Sequence, residues 1–129
     1  MNEIEFILYV NEQNKSKEFY EKLLKTKPFL DVPGMTEFKL AENVKLGLMP
    51  ENGIAKIILD KLPHPRKGNG IPRCELYLKV NNPLEYILRG IELGGKEMSK
   101  LQNRDWGDEV GYISDFDGNI IAFAKKYSH

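Results

Sequence analysis

Two glutamates raise the question of chemistry. Glu5 and Glu75 hold the same place in two similar stretches, IEFILYVN (residues 4–11) and CELYLKVN (residues 74–81), 70 residues apart. Strand side chains alternate between faces. Glu5, Ile7 and Tyr9 therefore share one face, and Glu75, Tyr77 and Lys79 share the matching face of the second stretch. A sheet face that mixes carboxylate, aromatic, aliphatic and cationic groups has the makings of a ligand cleft. The plain alternative is the wet side of an ordinary antiparallel sheet. Carboxylates in such a place either meet a cationic ligand or form salt bridges with Lys45, Lys79 or Arg73 that carry no function.

The other reactive side chains are few. His64 lies between two prolines and His129 is the last residue, and both read as solvated loop histidines. Cys74 would need a neighbouring base to act as a nucleophile, and it reads instead as a small buried hydrophobe. Trp106, the single tryptophan, reads as core filling or as a lid over the sheet edge. Asp105, Asp108 and Glu109 around it read as solvated loop acids; at a cleft rim they would favour a basic ligand. The stretch from Asp115 through Asp117 to Gly118 resembles a calcium loop only in part, since Ala124 stands where the distal glutamate belongs. It reads as a hairpin turn whose glycine takes positive φ. Lys61, Arg66, Lys67 and Arg73 read as a solvated basic loop, the alternative being contact with an anionic substrate. There is no phosphate-cradling glycine loop, no Ser-His-Asp set and no paired-cysteine motif.

Several elements must position these groups. Residues 3–10 read as a strand. Asn14 is placed to cap a helix carrying Phe19, Tyr20, Leu23 and Leu24 on one face. Pro28 and the pair Pro33-Gly34 punctuate the region after that helix, and residues 35–40 and 44–49 read as a hairpin. Residues 54–60 read as a further strand, and the Pro- and Gly-rich residues 61–72 as a linker. The pattern then restarts with a strand over 73–80 and a helix opened by Asn82-Pro83. That helix carries Leu84, Ile87, Leu88 and Ile91 and ends at Gly94-Gly95. A last hairpin uses 110–114 and 119–124.

The two halves superpose in sequence. Glu5 falls on Glu75, Val10 on Val80, Asn11 on Asn81 and Leu23 on Leu93, while the hairpins match at an offset near 75 that puts Gly47 on Ala122. The expectation is an α+β chain of two β-α-β-β-β modules, residues 1–60 and 73–129, joined by the linker into one structural domain. Together they would form a mixed sheet. Phe6, Leu8 and Val10, with Leu76, Leu78 and Val80, would lie under the helices. Lys45, Gly47 and Met49 would face the cleft, with Tyr112 and Ala122.

Bulk properties narrow the partners. Nineteen basic and nineteen acidic residues cancel, which argues against nucleic acid. One cysteine permits no internal disulfide. The acidic start has no basic leader, and no apolar run approaches the ~20 residues of a membrane span. A soluble cytoplasmic protein without a membrane partner is expected.

The paired modules, the helix NKSKEFYEKLL and the terminal WGDEVGYISDFDGNIIAFA together resemble the vicinal oxygen chelate superfamily. That superfamily includes glyoxalase I, extradiol dioxygenases, fosfomycin-resistance enzymes and bleomycin-resistance binding proteins. The chain looks most like the bleomycin-resistance-like and glyoxalase-like members. The resemblance implies that the mixed sheet is curved, with a concave cleft. It also implies a homodimer and, in catalytic members, a divalent metal held by His or Glu from the first and last strand of each module. The positions it marks here are Glu5, Gly47, Glu75 and Ala122. Gly47 and Ala122 offer no ligand atom, and zinc or nickel sites need three or more protein ligands with nitrogen or sulfur among them. Two carboxylates alone would hold Mg²⁺ or Mn²⁺ only weakly. The expectation is thus a binding protein without metal or catalytic residues. It would take a small planar or cationic molecule at Glu5, Met49, Glu75, Tyr77, Trp106 and Tyr112. The alternative is a metal-dependent lyase or isomerase like glyoxalase I, with a reduced ligand set at Glu5 and Glu75.

Overall fold

The computed structural model describes residues 1–127. The chain forms two compact units that part between Asn69 and Gly70. Each carries its own four-stranded mixed sheet.

The first unit begins with β1 (Ile4–Val10), α1 (Gln13–Leu24), β2 (Leu30–Val32), β3 (Met35–Ala41) and β4 (Val44–Pro50). Its strand order is β1-β4-β3-β2, with β1 parallel to β4 and the other pairs antiparallel. Helix α1 packs on β3 and β4. Phe19, Tyr20 and Leu23 meet Phe38, Leu46 and Leu48 in a fully buried core. Leu8 and Val10 join that core, but Phe6 on the outer strand stays 53% exposed, because α1 covers the middle of the sheet and not its β1 edge.

The cap of α1 differs from expectation. The N-cap residue is Glu12 and no side chain caps the helix, so Asn14 lies inside the first turn. Gln13 reaches away instead: Nε2 donates to the Val32 carbonyl (2.8 Å) and Thr36 Oγ1 (2.9 Å), and Oε1 accepts from Gly34 N (2.9 Å). This ties the helix start to the β2–β3 turn. Residues 54–60 were expected as a strand, but α2 (Glu51–Ile58) takes most of them. Pro50 at its N-cap and Glu51 in its first turn are helix-start signals, and they prevail over the strand propensity of three isoleucines. A short 3-10 turn at Pro65–Gly68 comes after it.

The second unit contains β5 (Glu75–Lys79), α3 (Pro83–Glu92), β6 (Lys96–Asn103), β7 (Asp108–Ser114) and β8 (Ile120–Lys126). Its order, β5-β8-β7-β6, repeats the first unit, again with a single parallel pair, β5 with β8. Asn82 caps α3 by accepting from Glu85 N, with Pro83 in the first turn. Helix α3 packs on β6, β7 and β8 over Ile113, Ile121 and Phe123, and Phe123 stacks on Tyr86 (centroids 5.1 Å apart). The Asp115–Asn119 turn is a hairpin: Asp115 carboxylate oxygens accept from Asp117 N, Asn119 N and Asn119 Nδ2, and Gly118 has φ 85°. Among the described residues no helix is long and apolar enough to cross a membrane.

Candidate functional site

The strand registers decide which side chains share a face. In the first unit Glu5 pairs with Lys45, Ile7 with Gly47 and Tyr9 with Met49, while Glu37 lies across from Gly47 on β3. These residues occupy the sheet face turned away from α1. Glu5 Oε2 is buried there, and among the described residues no donor reaches it. Its neighbour is the carboxyl of Glu37. Two ionised carboxylates cannot bond each other, but one shared proton converts the pair into a hydrogen bond. Burial, the Glu37 hydrogen bond and the Glu37 charge together push the Glu5 carboxyl up to about 7, against partial relief from Lys45.

Lys45 is committed elsewhere. Its Nζ lies 3.0 Å from Glu3 Oε1, 3.9 Å from Glu37 Oε1 and 4.0 Å from the centre of the Phe29 ring. The hydrogen bond to Glu3 holds its ammonium above the ordinary lysine value. Gly47 is the space that admits Glu5: a Cβ there would stand 2.5 Å from Glu5 Oε2, 3.1 Å from Ile7 Cγ1 and 3.2 Å from Met35 Sδ.

The second unit repeats the frame with different chemistry. Tyr77 and Tyr112 both pair with Ala122, at the places that Ile7 and Glu37 hold around Gly47. The two tyrosines pack over buried Val110, Ala122 and Ala124. Tyr77 Oη donates to Asp108 Oδ2 (2.6 Å) and accepts from Trp106 Nε1 (2.8 Å). Lys79 Nζ lies 3.7 Å from the same Asp108 oxygen. Burial, then the Asp108 bond, raises the Tyr77 phenol above its ordinary value. Burial and the charge of Glu75 do the same for Tyr112, whose ring lies 5.2 Å from the Arg104 guanidinium. Arg104 itself donates to the Val110 and Lys100 carbonyls and to Ser99 Oγ.

Of the expected binding residues, Glu5 and Met49 lie in the first unit, and Glu75, Tyr77, Trp106 and Tyr112 in the second. Tyr77 and Trp106 are hydrogen-bonded, and Glu75 is exposed within electrostatic reach of Tyr112. Met49 is partly buried beside Tyr9. Sequence reasoning missed Glu37, although alternation along β3 would have placed it opposite Gly47. It also took Asp108 for a solvated loop acid, whereas Asp108 opens β7, is buried and holds Tyr77. Cys74, expected in the core, is exposed just before β5.

The residues at the marked positions do not fit a transition metal. Gly47 and Ala122 bring no donor, and Gly47 is filled by Glu5 itself. Among the described residues no three His, Cys, Asp or Glu side chains gather closely enough to hold an ion. His64 lies in the loop before the 3-10 turn, partly exposed: Nδ1 accepts from Arg66 N (3.0 Å) and caps the turn, which leaves Nε2 to donate to Asn52 Oδ1 (2.9 Å). His129 lies outside the described residues.

Solved structures share this architecture. A glyoxalase-related enzyme from Fulvimarina pelagi superposes with a TM-score of 0.78 at 18% identity, over 94% of this chain and 85% of that one. A glyoxalase/bleomycin resistance protein/dioxygenase family enzyme from Burkholderia phytofirmans PsJN gives 0.82 at 8% identity, over 95% and 97%. A glyoxalase/bleomycin resistance protein from Albidiferax ferrireducens gives 0.68 at 19%, over 98% of each chain. At these identities the likeness speaks for the fold alone. None of the curated proteins matches the sequence. The sequence profile of the glyoxalase-like domain, however, matches residues 4–127. With that match spanning nearly the whole chain, and two β-α-β-β-β units beneath it, the chain belongs to the glyoxalase-like family of the vicinal oxygen chelate superfamily.

Proposed function

We propose that the chain is a small-molecule binding protein that takes a planar or cationic ligand on the sheet faces turned away from α1 and α3, by charge and stacking, without a metal. The observation that carries this reading is the Glu5–Glu37 acid pair, in which buried Glu5 Oε2 has no donor among the described residues unless the two carboxyls share a proton. Without that proton the two carboxylates repel and lack a donor, and a ligand N–H or cation arriving there supplies both donor and charge. The exposed Trp106 ring adds a stacking surface in the second unit. A homodimer and a cytoplasmic setting complete the reading.

The test is calorimetric titration with proflavine, a flat aromatic cation, and with a bleomycin-type cationic antibiotic. Saturable binding is expected, weakened about tenfold by Glu5→Gln, as for the loss of one charge-assisted hydrogen bond. Neither compound binding the wild type would refute the reading.

A second reading, the metal-dependent lyase or isomerase, has one observation in its favour. A carboxyl titrating near 7 can take and return a proton at neutral pH. Its ligand set at Glu5 and Glu75 is incomplete. Turnover of a glutathione hemithioacetal on adding Ni²⁺ or Zn²⁺, abolished by chelation, would establish it over the binding protein.

A further inference from the structure

Trp106 sits where an aromatic side chain should swing freely. It is the third residue of the tight turn joining β6 to β7, in which Gly107 N donates to the Arg104 carbonyl and Gly107 has φ 96°. The residue is 59% exposed. A ring at a hairpin tip with so little packing gains no fixed orientation from the core.

A directed chain of hydrogen bonds supplies the orientation. The indole N–H can only donate. It donates to Tyr77 Oη at 2.8 Å, so the tyrosine must spend its own proton elsewhere. That proton goes to Asp108 Oδ2 at 2.6 Å. Asp108 can be the terminal acceptor because its side-chain oxygen is buried and fixed in β7, with Lys79 3.7 Å away. Tyr77 is in turn locked by its packing on Val110, Ala122 and Ala124. Polarity therefore runs one way, from indole through phenol to carboxylate, and each bond strengthens the next.

We propose that Asp108 is a positioning residue. Through the Tyr77 hydroxyl it fixes the Trp106 indole as a preformed plate on which a flat ring of the ligand stacks. The identity of the stacking partner rests on the binding-protein reading above, whereas the anchoring of the indole does not depend on it. A plate held before the ligand arrives spares the ordering cost of a mobile side chain, so the chain sets affinity for planar ligands without touching them.

Because Trp106 is the sole tryptophan, its emission reports on this ring alone. The experiment measures fluorescence anisotropy and acrylamide quenching of the ligand-free protein, with proflavine titration as a second arm. Tyr77→Phe keeps the packed ring and removes only the hydroxyl. It is expected to lower anisotropy, increase quenching and weaken proflavine binding about three- to tenfold, the worth of one neutral hydrogen bond. Asp108→Ala should do the same. Asp108→Asn keeps an acceptor oxygen and should restore near-wild-type anisotropy, which a purely structural role for the aspartate charge would not produce. Unchanged anisotropy and quenching in Tyr77→Phe overturn the anchoring, and that variant decides alone if Asp108→Ala does not fold. Equal proflavine affinity in wild type and Tyr77→Phe overturns the role in ligand binding. If wild type does not bind proflavine, the planar-ligand reading falls, and the fluorescence arm alone upholds or overturns the anchoring.

Discussion

The carboxyl of Glu5 should make this protein less stable as pH rises through neutrality. In the folded chain it titrates at about 7 instead of its ordinary 4.5, chiefly because it is buried and then because Glu37 lies beside it. The folded state therefore holds a proton that the unfolded state has already released. Stability from this proton is complete below about pH 4.5 and is lost progressively as pH rises through about 7. At about 1.36 kcal/mol for each pH step, the displacement sets a ceiling of roughly 3 kcal/mol. Solvent reaches part of this side chain and Glu37 shares the titration, so about 1–2 kcal/mol is the expected effect.

Glu5→Gln replaces the protonated carboxyl with a neutral group of the same shape whose amide can donate to Glu37. Urea unfolding followed by far-ultraviolet circular dichroism, from about pH 4 to about pH 9, compares the two proteins so that all other titrations cancel. Near the acid end the variant should match the wild type. Above about pH 8 it should be more stable by that 1–2 kcal/mol. A stability difference that stays flat across the range, or that favours the wild type at alkaline pH, would refute the account of a proton shared between Glu5 and Glu37.

Gly47→Ala should displace the Glu5 carboxyl toward water, since the new Cβ would stand 2.5 Å from Oε2. Carbon-detected NMR titration should then show the Glu5 midpoint falling from about 7 toward its ordinary 4.5, and an unmoved midpoint would contradict the packing described. Leu59→Gly should stabilise the chain by about 1 kcal/mol in thermal unfolding, because the strain at φ 54° and ψ −131° outweighs the entropy cost of glycine, and a loss of stability would count against that strain.

Reading the chain alone recovered the strands with one apolar and one mixed face and missed those without that contrast. Stretches 4–11 and 74–81 alternate clearly, and both became strands at the expected parity. Strands β2 and β6 were not foreseen. They lie at the outer edges of their sheets, and β2 is exposed along its whole length. Strand β6 carries register shifts and buries little of itself. An edge strand is held by backbone bonds to one neighbour and needs no hydrophobic stripe, so it writes no period into the sequence. Residues 54–60 failed for the opposite reason: a short isoleucine-rich run satisfies a strand and a helix equally, and the start signals at Pro50 and Glu51 decide it.

The sequence by itself determined the duplication, the α+β class, the hairpin at Asp117-Gly118 and the absence of donor atoms at Gly47 and Ala122, because these arise from periodicity, turn chemistry and residue type. Only the tertiary structure decided how the polar groups are used. It brought Glu37 across Gly47 to Glu5, sent Lys45 to Glu3, and buried Asp108 beneath Tyr77. Protonation and hydrogen-bond direction depend on which groups meet across neighbouring strands and how much water remains between them, and spacing along the chain encodes neither.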